Sequence, residues 1–271
     1  MTEVRSHLAS DFPMASLLAH KGDHLVSVCI PARNEEATVG TIVEVIREHL
    51  AGPDTPLVNE ILVIDDRSTD RTAAIARAEG ARVVQVADVL PEAGPGRGKG
   101  NVLWKSVAAC EGDLVVWIDA DLTSFTPRCI TGLLGPLLHD PTIAMVKGYY
   151  ERPEIGGTGG GRTTELMARP LLATLFPHLT SVRQPLGGEY AARRDILEQV
   201  PFSMGYGVET GLLIDIAALV GLERLAQVDL GVRVHRNRPL AERSVQAMEL
   251  LHTALHRAGV AGQPHGSHVL L

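Results

Sequence analysis

Two aspartates one residue apart, in Asp119-Ala120-Asp121, follow the apolar run Leu114-Val115-Val116-Trp117-Ile118. At the end of a strand, carboxylates so spaced can converge on one divalent cation. Mg²⁺ and Mn²⁺ take oxygen ligands and accept phosphate oxygens beside them. A cation on a diphosphate draws charge from a departing nucleoside diphosphate. An isolated Asp-x-Asp is more often a solvated loop, so its weight depends on what else reaches the same place.

Several other segments carry chemistry. Asp65-Asp66-Arg67-Ser68-Thr69-Asp70 offers carboxylates and hydroxyls for a ribose or uracil edge, with Asp66 toward ligand and Asp70 capping the next helix. Pro31-Ala32-Arg33-Asn34-Glu35-Glu36 opens a helix, whose amides favour polar or anionic ligand atoms. Gly96-Arg97-Gly98-Lys99-Gly100 lacks Walker spacing; it reads either as a mobile basic loop or as a loop that brings Lys99 to a phosphate or base carbonyl. Gly160-Gly161-Arg162-Thr163-Thr164-Glu165 enters a helix and suits an anionic acceptor, or forms a plain capping box. Glu209, after Gly205-Tyr206-Gly207-Val208, places a carboxylate at a helix start, either for sugar hydroxyls or for the helix dipole. In Arg233-Val234-His235-Arg236-Asn237-Arg238, strand geometry would put Arg233 and His235 on one face. His235 could complete a metal site, and the arginines an anion-lined pocket.

The elements that must position these residues alternate. Strands are expected at Leu25 to Pro31, Glu60 to Asp65, Arg82 to Val86 and Asp113 to Asp119. Helices are expected at Glu35 to Leu50, Arg71 to Glu79 and Asn101 to Ala109, with Pro91 to Gly100 a loop. Short apolar strands alternating with helices predict an α/β fold, a Rossmann-like, mostly parallel sheet with helices on both faces. Ligands bind such sheets at the carboxyl ends of the strands, so the loops after positions 31, 65 and 118 share one rim. Further on, the pattern predicts strands at 143–150 and 225–234, a turn or short strand at 186–190, and helices at 163–175, 208–219 and 243–256. Residues 1–24 read as a weakly helical peripheral arm, 25–121 as the nucleotide-binding half, 122–258 as the acceptor-binding half with a closing helix, and 259–271 as a loose tail.

Composition narrows the classes. The 271 residues are 45% hydrophobic and 21% charged with net charge −7, which is ordinary for a globular chain and disfavours general nucleic-acid binding. Cys29, Cys110 and Cys129 show no Cys-x-x-Cys pairing and read as small buried hydrophobes. No signal peptide and no apolar run near the ~20 residues of a membrane span is seen, so a cytoplasmic protein is expected.

Taken in order, Pro-Ala-x-Asn-Glu-Glu from Pro31, Ile-Asp-x-x-Ser-Thr-Asp from Ile64, Gly-Lys-Gly from Gly98, Asp-x-Asp from Asp119, Gly-Gly-Gly-Arg-x-Thr-Glu from Gly159, Gln-Pro-Leu-Gly-Gly-Glu-Tyr from Gln184, Gly-Tyr-Gly-Val-Glu from Gly205 and His-Arg-Asn-Arg-Pro-Leu from His235 resemble the glucosyl-3-phosphoglycerate synthases, retaining glycosyltransferases of the GT-A fold. The resemblance runs from about Val26 to Leu240. It implies glucose transfer from UDP-glucose to 3-phosphoglycerate, Mg²⁺ or Mn²⁺ as cofactor, a homodimer, and a place in glucosylglycerate or methylglucose polysaccharide synthesis. By position it assigns Pro31, Ala32, Arg33, Asn34, Glu35, Asp66, Lys99, Asp119 and Ala120 to UDP. Tyr206, Gly207, Val208, Glu209, Arg233, Arg236 and Arg238 complete the nucleotide-sugar site. Asp121 and His235 go to the metal, and Gly161, Arg162, Thr163, Thr164 and Asn237 to the acceptor. Glu209, Lys99 and Asp121 are the residues expected to act in catalysis. A GDP-mannose-using synthase, a sugar-phosphate nucleotidyltransferase and a silent nucleotide-sugar binder are the rival readings.

Overall fold

The computed structural model describes residues 3–151, 161, 163–232, 240–260 and 267–268. Among them, eight strands form one sheet in the order β1-β9-β6-β7-β5-β2-β3-β4. These are β1 (Arg5–Leu8), β2 (Val26–Ala32), β3 (Glu60–Asp65), β4 (Arg82–Gln85), β5 (Leu114–Trp117), β6 (Met145–Glu151), β7 (Tyr190–Arg193) and β9 (Leu225–Val232). The block β5-β2-β3-β4 is parallel throughout, as the alternating pattern predicts. β7 runs antiparallel between β5 and β6, and β6 and β9 are parallel again. The short β8 (Phe202–Ser203) pairs separately with β10 (Ser267–His268).

The side-chain period of two sorts each strand between two cores. Val26, Val28 and Ile30 of β2 join one cluster with α2 (Val39–Leu50) and α5 (Arg128–His139). Cys29 of β2 and Leu62 and Ile64 of β3 join the other with α4 (Gly98–Ala109) and α8 (Val208–Val220). All three cysteines are free and buried, in keeping with their reading as small apolar groups. The remaining helices are α1 (Met14–Lys21), α3 (Thr72–Ala78), α6 (Arg169–Leu175), α7 (Arg194–Leu197) and α9 (Leu240–Arg257). α9 is tied to α8 by Arg257, whose guanidinium lies 2.7 Å from Asp215; burial nonetheless raises the Asp215 carboxyl above its usual range.

Three expectations need correction. The N-terminal arm is not merely a helical appendage: Arg5–Leu8 pairs in parallel with Ala226–Asp229, and Leu17 of α1 is fully buried. α2 begins at Val39 rather than Glu35, because residues 35–38 form a turn bonded to the next loop. α4 begins at Gly98, so Lys99 lies in a helix's first turn rather than in the preceding loop. The predicted strand at 225–234 is present as Leu225–Val232, and its last two residues lie outside the described residues.

α5 was missed altogether, for a physical reason. Its sequence holds Gly132, Gly135 and Pro136, all unfavourable in an isolated helix. Here the glycines admit neighbours: a Cβ on Gly135 would collide with the Phe12 ring, and one on Gly132 would meet Ala9, Val228 and Leu230. Tertiary packing of the arm thus overrides helix propensity. Gly135→Ala is expected to destabilise the fold by about 1–3 kcal/mol, as overpacking does, despite alanine's better helix propensity. A denaturation midpoint at or above the parent's would refute this packing account.

Candidate active site

The loops after β2 and β3 are stitched together. The amides of Asn34, Glu35 and Glu36 donate to Ser68 Oγ (3.0 Å), Thr72 Oγ1 (2.8 Å) and Asp70 Oδ2 (3.2 Å). In return the Thr69 amide donates to Asn34 Oδ1 at 2.8 Å. Asn34 and Arg67 both adopt positive φ, at 57° and 60°, a conformation that costs a non-glycine residue roughly 1–2 kcal/mol. The cross-loop bonds hold it. These amides are therefore engaged by the neighbouring loop and do not form the open helix N-terminus the sequence suggested. Asp70 does serve α3, accepting from the Thr72 amide at 2.9 Å.

Asp65 and Asp66 divide their work. Asp65 is buried and accepts from the Ser68 amide at 3.2 Å and from Gln85 Nε2 at 2.7 Å, which fixes the turn. Asp66 is held at its edge by Arg67 (2.9 Å) and more loosely by Arg33 (3.8 Å). Thr38 Oγ1 donates to the Ala120 carbonyl at 2.6 Å, joining the start of α2 to the turn after β5.

The centre of the rim is an ion cluster. Lys99 Nζ lies 2.6 Å from Asp119 Oδ1 and 2.8 Å from Glu209 Oε1. Glu209 is 5% exposed, so it does more than complement a helix dipole. Burial pulls the Lys99 ammonium toward deprotonation, but the Asp119 and Glu209 carboxylates together outweigh it and hold its pKa well above the usual lysine range. The glycines beside Lys99 make this approach possible. A Cβ on Gly98 would strike Gly205 Cα, and one on Gly100 would strike the Ser203 carbonyl, so only bare backbone lets α4 sit this close to residues 203–205. The segment is thus a packed helix start, not a mobile loop. On the far side, a Cβ on Gly188 would collide with the Asp119 carboxylate, so the 185–189 turn rests directly on the cluster.

Tyr206 lies in the turn Gly205–Gly207, its amide donating to Glu249 Oε2 of α9 at 2.7 Å, and its side chain is partly exposed. The Val208 side chain belongs to the core and Gly207 packs on Thr253, so neither offers a side chain to a ligand. Ala32 and Ala120 are also buried, and Pro31 is half-buried. Gly161 (φ 88°) precedes a π-helical turn, Thr164–Ala168, that runs into α6. Thr163 makes no side-chain cap there, which removes the capping-box reading at that position, and Thr164 is buried. Arg162, Arg233, His235, Arg236, Asn237 and Arg238 lie outside the described residues.

The fit of a divalent cation follows from the donors present. Asp121, partly exposed one turn residue beyond Asp119, is a hard oxygen donor. No group of three or more His, Cys, Asp or Glu gathers as a metal cage among the described residues. Mg²⁺ and Mn²⁺ sites on nucleotides need no such cage, since phosphate oxygens and water complete the shell around one or two protein carboxylates. The residues fit.

The comparisons agree. Residues 27–200 match the family model of glycosyl transferase family 2. The chain is 50% identical over 253 residues to glucosyl-3-phosphoglycerate synthase of Mycolicibacterium smegmatis, covering 92% of this chain and 82% of that protein. It belongs to the glucosyl-3-phosphoglycerate synthases. The relative of the same name from Petrotoga mobilis is 47% identical, covering 89% of this chain and 75% of that one. The Mycobacterium tuberculosis synthase, solved with Mn²⁺, UDP-glucose and phosphoglyceric acid, superposes with TM-score 0.88 at 46% identity, covering 96% of this chain and 89% of that one. The fold is GT-A, as the resemblance implied.

Sequence reading missed two residues packed around the cluster, Gly188 against Asp119 and Lys147, which donates to the Gly187 carbonyl. Gly188 was quoted only as part of a motif, and Lys147 lay unremarked in an apolar strand. An isolated lysine between Val146 and Gly148 was the available signal.

The cluster makes a stability prediction. Lys99→Met leaves two carboxylates facing each other without the ammonium that contacts both, and loss of one partner of a buried pair costs about 3–5 kcal/mol. Adding Glu209→Gln should restore part of that. Urea unfolding of the parent, single and double variants measures it; additive losses would show that the two side chains do not interact.

Proposed function

We propose that this chain transfers the glucosyl group of UDP-glucose to the hydroxyl of 3-phosphoglycerate, giving glucosyl-3-phosphoglycerate and UDP with retained anomeric configuration. The observation that carries the reading is the Lys99–Asp119–Glu209 cluster, set at the carboxyl end of a GT-A sheet. Support comes from the M. tuberculosis synthase, solved with UDP-glucose and phosphoglyceric acid and also with UDP and glucosyl-3-phosphoglycerate.

The nucleotide takes the rim formed by Pro31 to Glu35, Asp66, Lys99, Asp119 and Ala120. Asp121, with His235, would hold Mg²⁺ or Mn²⁺, which when bound neutralises charge on the diphosphate. Arg233, Arg236 and Arg238 add positive charge on the nucleotide-sugar side. Tyr206 and Glu209 orient the glucose. Gly161, Arg162, Thr163, Thr164 and Asn237 take the acceptor's anionic groups, where a helix start offers amide donors.

In the transfer, the bond from the glucose anomeric carbon to the β-phosphate oxygen breaks and the acceptor oxygen bonds to that carbon from the same face. The hydroxyl proton passes to the departing phosphate oxygen. Glu209 is neutralised by Lys99 at 2.8 Å, which makes its carboxylate a poor nucleophile and favours a positioning role over a glucosyl–enzyme intermediate.

The same reading makes the protein a cytoplasmic homodimer supplying glucosylglycerate or methylglucose polysaccharide synthesis. Among the described residues no helix is long and apolar enough to cross a membrane. On α9, Leu250 packs inward while Val245 and Met248 stay exposed, an apolar surface a second copy could cover.

Product release from a donor–acceptor panel tests the activity. UDP should form from UDP-glucose when 3-phosphoglycerate and Mg²⁺ or Mn²⁺ are supplied. Faster turnover of GDP-mannose, or diphosphate release from UTP with a sugar phosphate, would overturn it in favour of a rival. Asp121→Ala should lower kcat by about 100-fold or more, since cation stabilisation of transition-state charge is worth several kcal/mol. Near-normal turnover by that variant would remove Asp121 from the metal site.

A further inference from the structure

Lys147 is fully enclosed within β6, 2% exposed, yet carries a charged head. Its Nζ donates to the Gly187 carbonyl at 2.7 Å and sits 4.5 Å from the centroid of the Tyr190 ring. Tyr190 is itself fully buried and packs on Trp117, centroid to centroid 4.9 Å. The turn that Lys147 grips, Pro185 to Glu189, is the one whose Gly188 lies against the Asp119 carboxylate. One buried ammonium therefore holds, from below, the backbone on which the central cluster rests.

We infer that Lys147 is a positioning residue for glucosyl transfer: it fixes the 185–189 turn against Asp119 and supplies positive charge behind the Lys99–Asp119–Glu209 cluster. The inference rests on the transfer activity proposed above. Burying a lysine for packing alone would be costly, and an apolar side chain of similar length would fill the space at less expense. What the ammonium adds is directional donation to Gly187 and charge.

The groups acting on Lys147 come from several packed elements. Burial, the largest influence, pushes its pKa down to about 8. Glu209 of α8, Glu189 of the turn and Asp119 after β5 oppose that, while Lys99 of α4 adds to it. Neither Lys99 nor Tyr190 titrates in the same range, since both are held well above their ordinary values. A pKa depressed in the fold means that the buried charge weighs on stability below pH about 8 and that this weight lifts as pH rises. Activity should move the opposite way, because the charge behind the cluster is lost over that interval. A side chain that merely filled space would not produce these opposed trends.

The test compares the parent with Lys147→Met by kcat, KM for both substrates, UDP affinity and melting temperature from pH 6.5 to 9.5. The expected variant folds and binds UDP within about twofold of the parent, with kcat lowered roughly tenfold or more, as a small displacement of a reacting group produces. The parent's profile should fall on an alkaline limb centred near pH 8, and the variant should lack it. A kcat within twofold of the parent, or the same limb in the variant, overturns the inference. If Lys147→Met does not fold, Lys147→Gln, which keeps a donor without charge, takes its place under the same criteria. A parent that binds UDP but transfers nothing at any pH would instead refute the transfer reading, which keeps the two failures apart.

Discussion

A single ammonium, that of Lys99, holds the site together. It joins the helix after β4, the turn after β5 and the helix after β8 through two carboxylates at 2.6 and 2.8 Å. Remove that charge and Asp119 and Glu209 would repel in a poorly solvated place, where unpaired charge is expensive. The surrounding backbone is shaped to permit the contact. Gly98 and Gly100 lie against residues 203–205 and Gly188 against Asp119, each where a side chain would collide. The glycine-rich segment is thus specified by close packing around a charge, not by a need for mobility.

The rest of the rim follows a related rule. Sharp turns after β2 and β3 place Asn34 and Arg67 in left-handed backbone, and side chains of each loop satisfy amides of the other. The two loops form one unit because each leaves some of its amides to be satisfied by side chains of the other. This explains why α2 starts late and why Thr38 reaches the Ala120 carbonyl. The rim is consequently a preformed surface whose polar groups are already organised, the condition under which fixed dipoles act on a bound group without reorganising.

The chemistry was legible in the sequence to a degree the packing was not. Asp119, Asp121 and Glu209 could be named as candidates from residue type and from their place after a strand or at a helix start, and Lys99 from a glycine-rich loop. Which of them touch could not, because Lys99 and Glu209 lie more than a hundred residues apart and no local periodicity encodes that distance. Lys147 illustrates the limit: in sequence it interrupts an apolar strand, and only the fold shows Gly187 above it and Tyr190 beside it. α5 illustrates the converse, since its glycines and proline argue against a helix until Phe12 of the arm is seen filling the space they leave.

By itself the sequence determined that four strands, β2 to β5, form a parallel block with a rim at its carboxyl ends, because short apolar strands separated by helical segments admit few other arrangements; their order came from the fold. It also carried the ordered motifs that mark the family. The tertiary structure alone decided that Arg5–Leu8 would close the sheet's edge beside β9 and that β7 would run antiparallel beside β5. It alone decided that Asp119, Lys99 and Glu209 would share one ion cluster. These are contacts between distant segments, set by which surfaces can be buried together and which charges must be paired when they are.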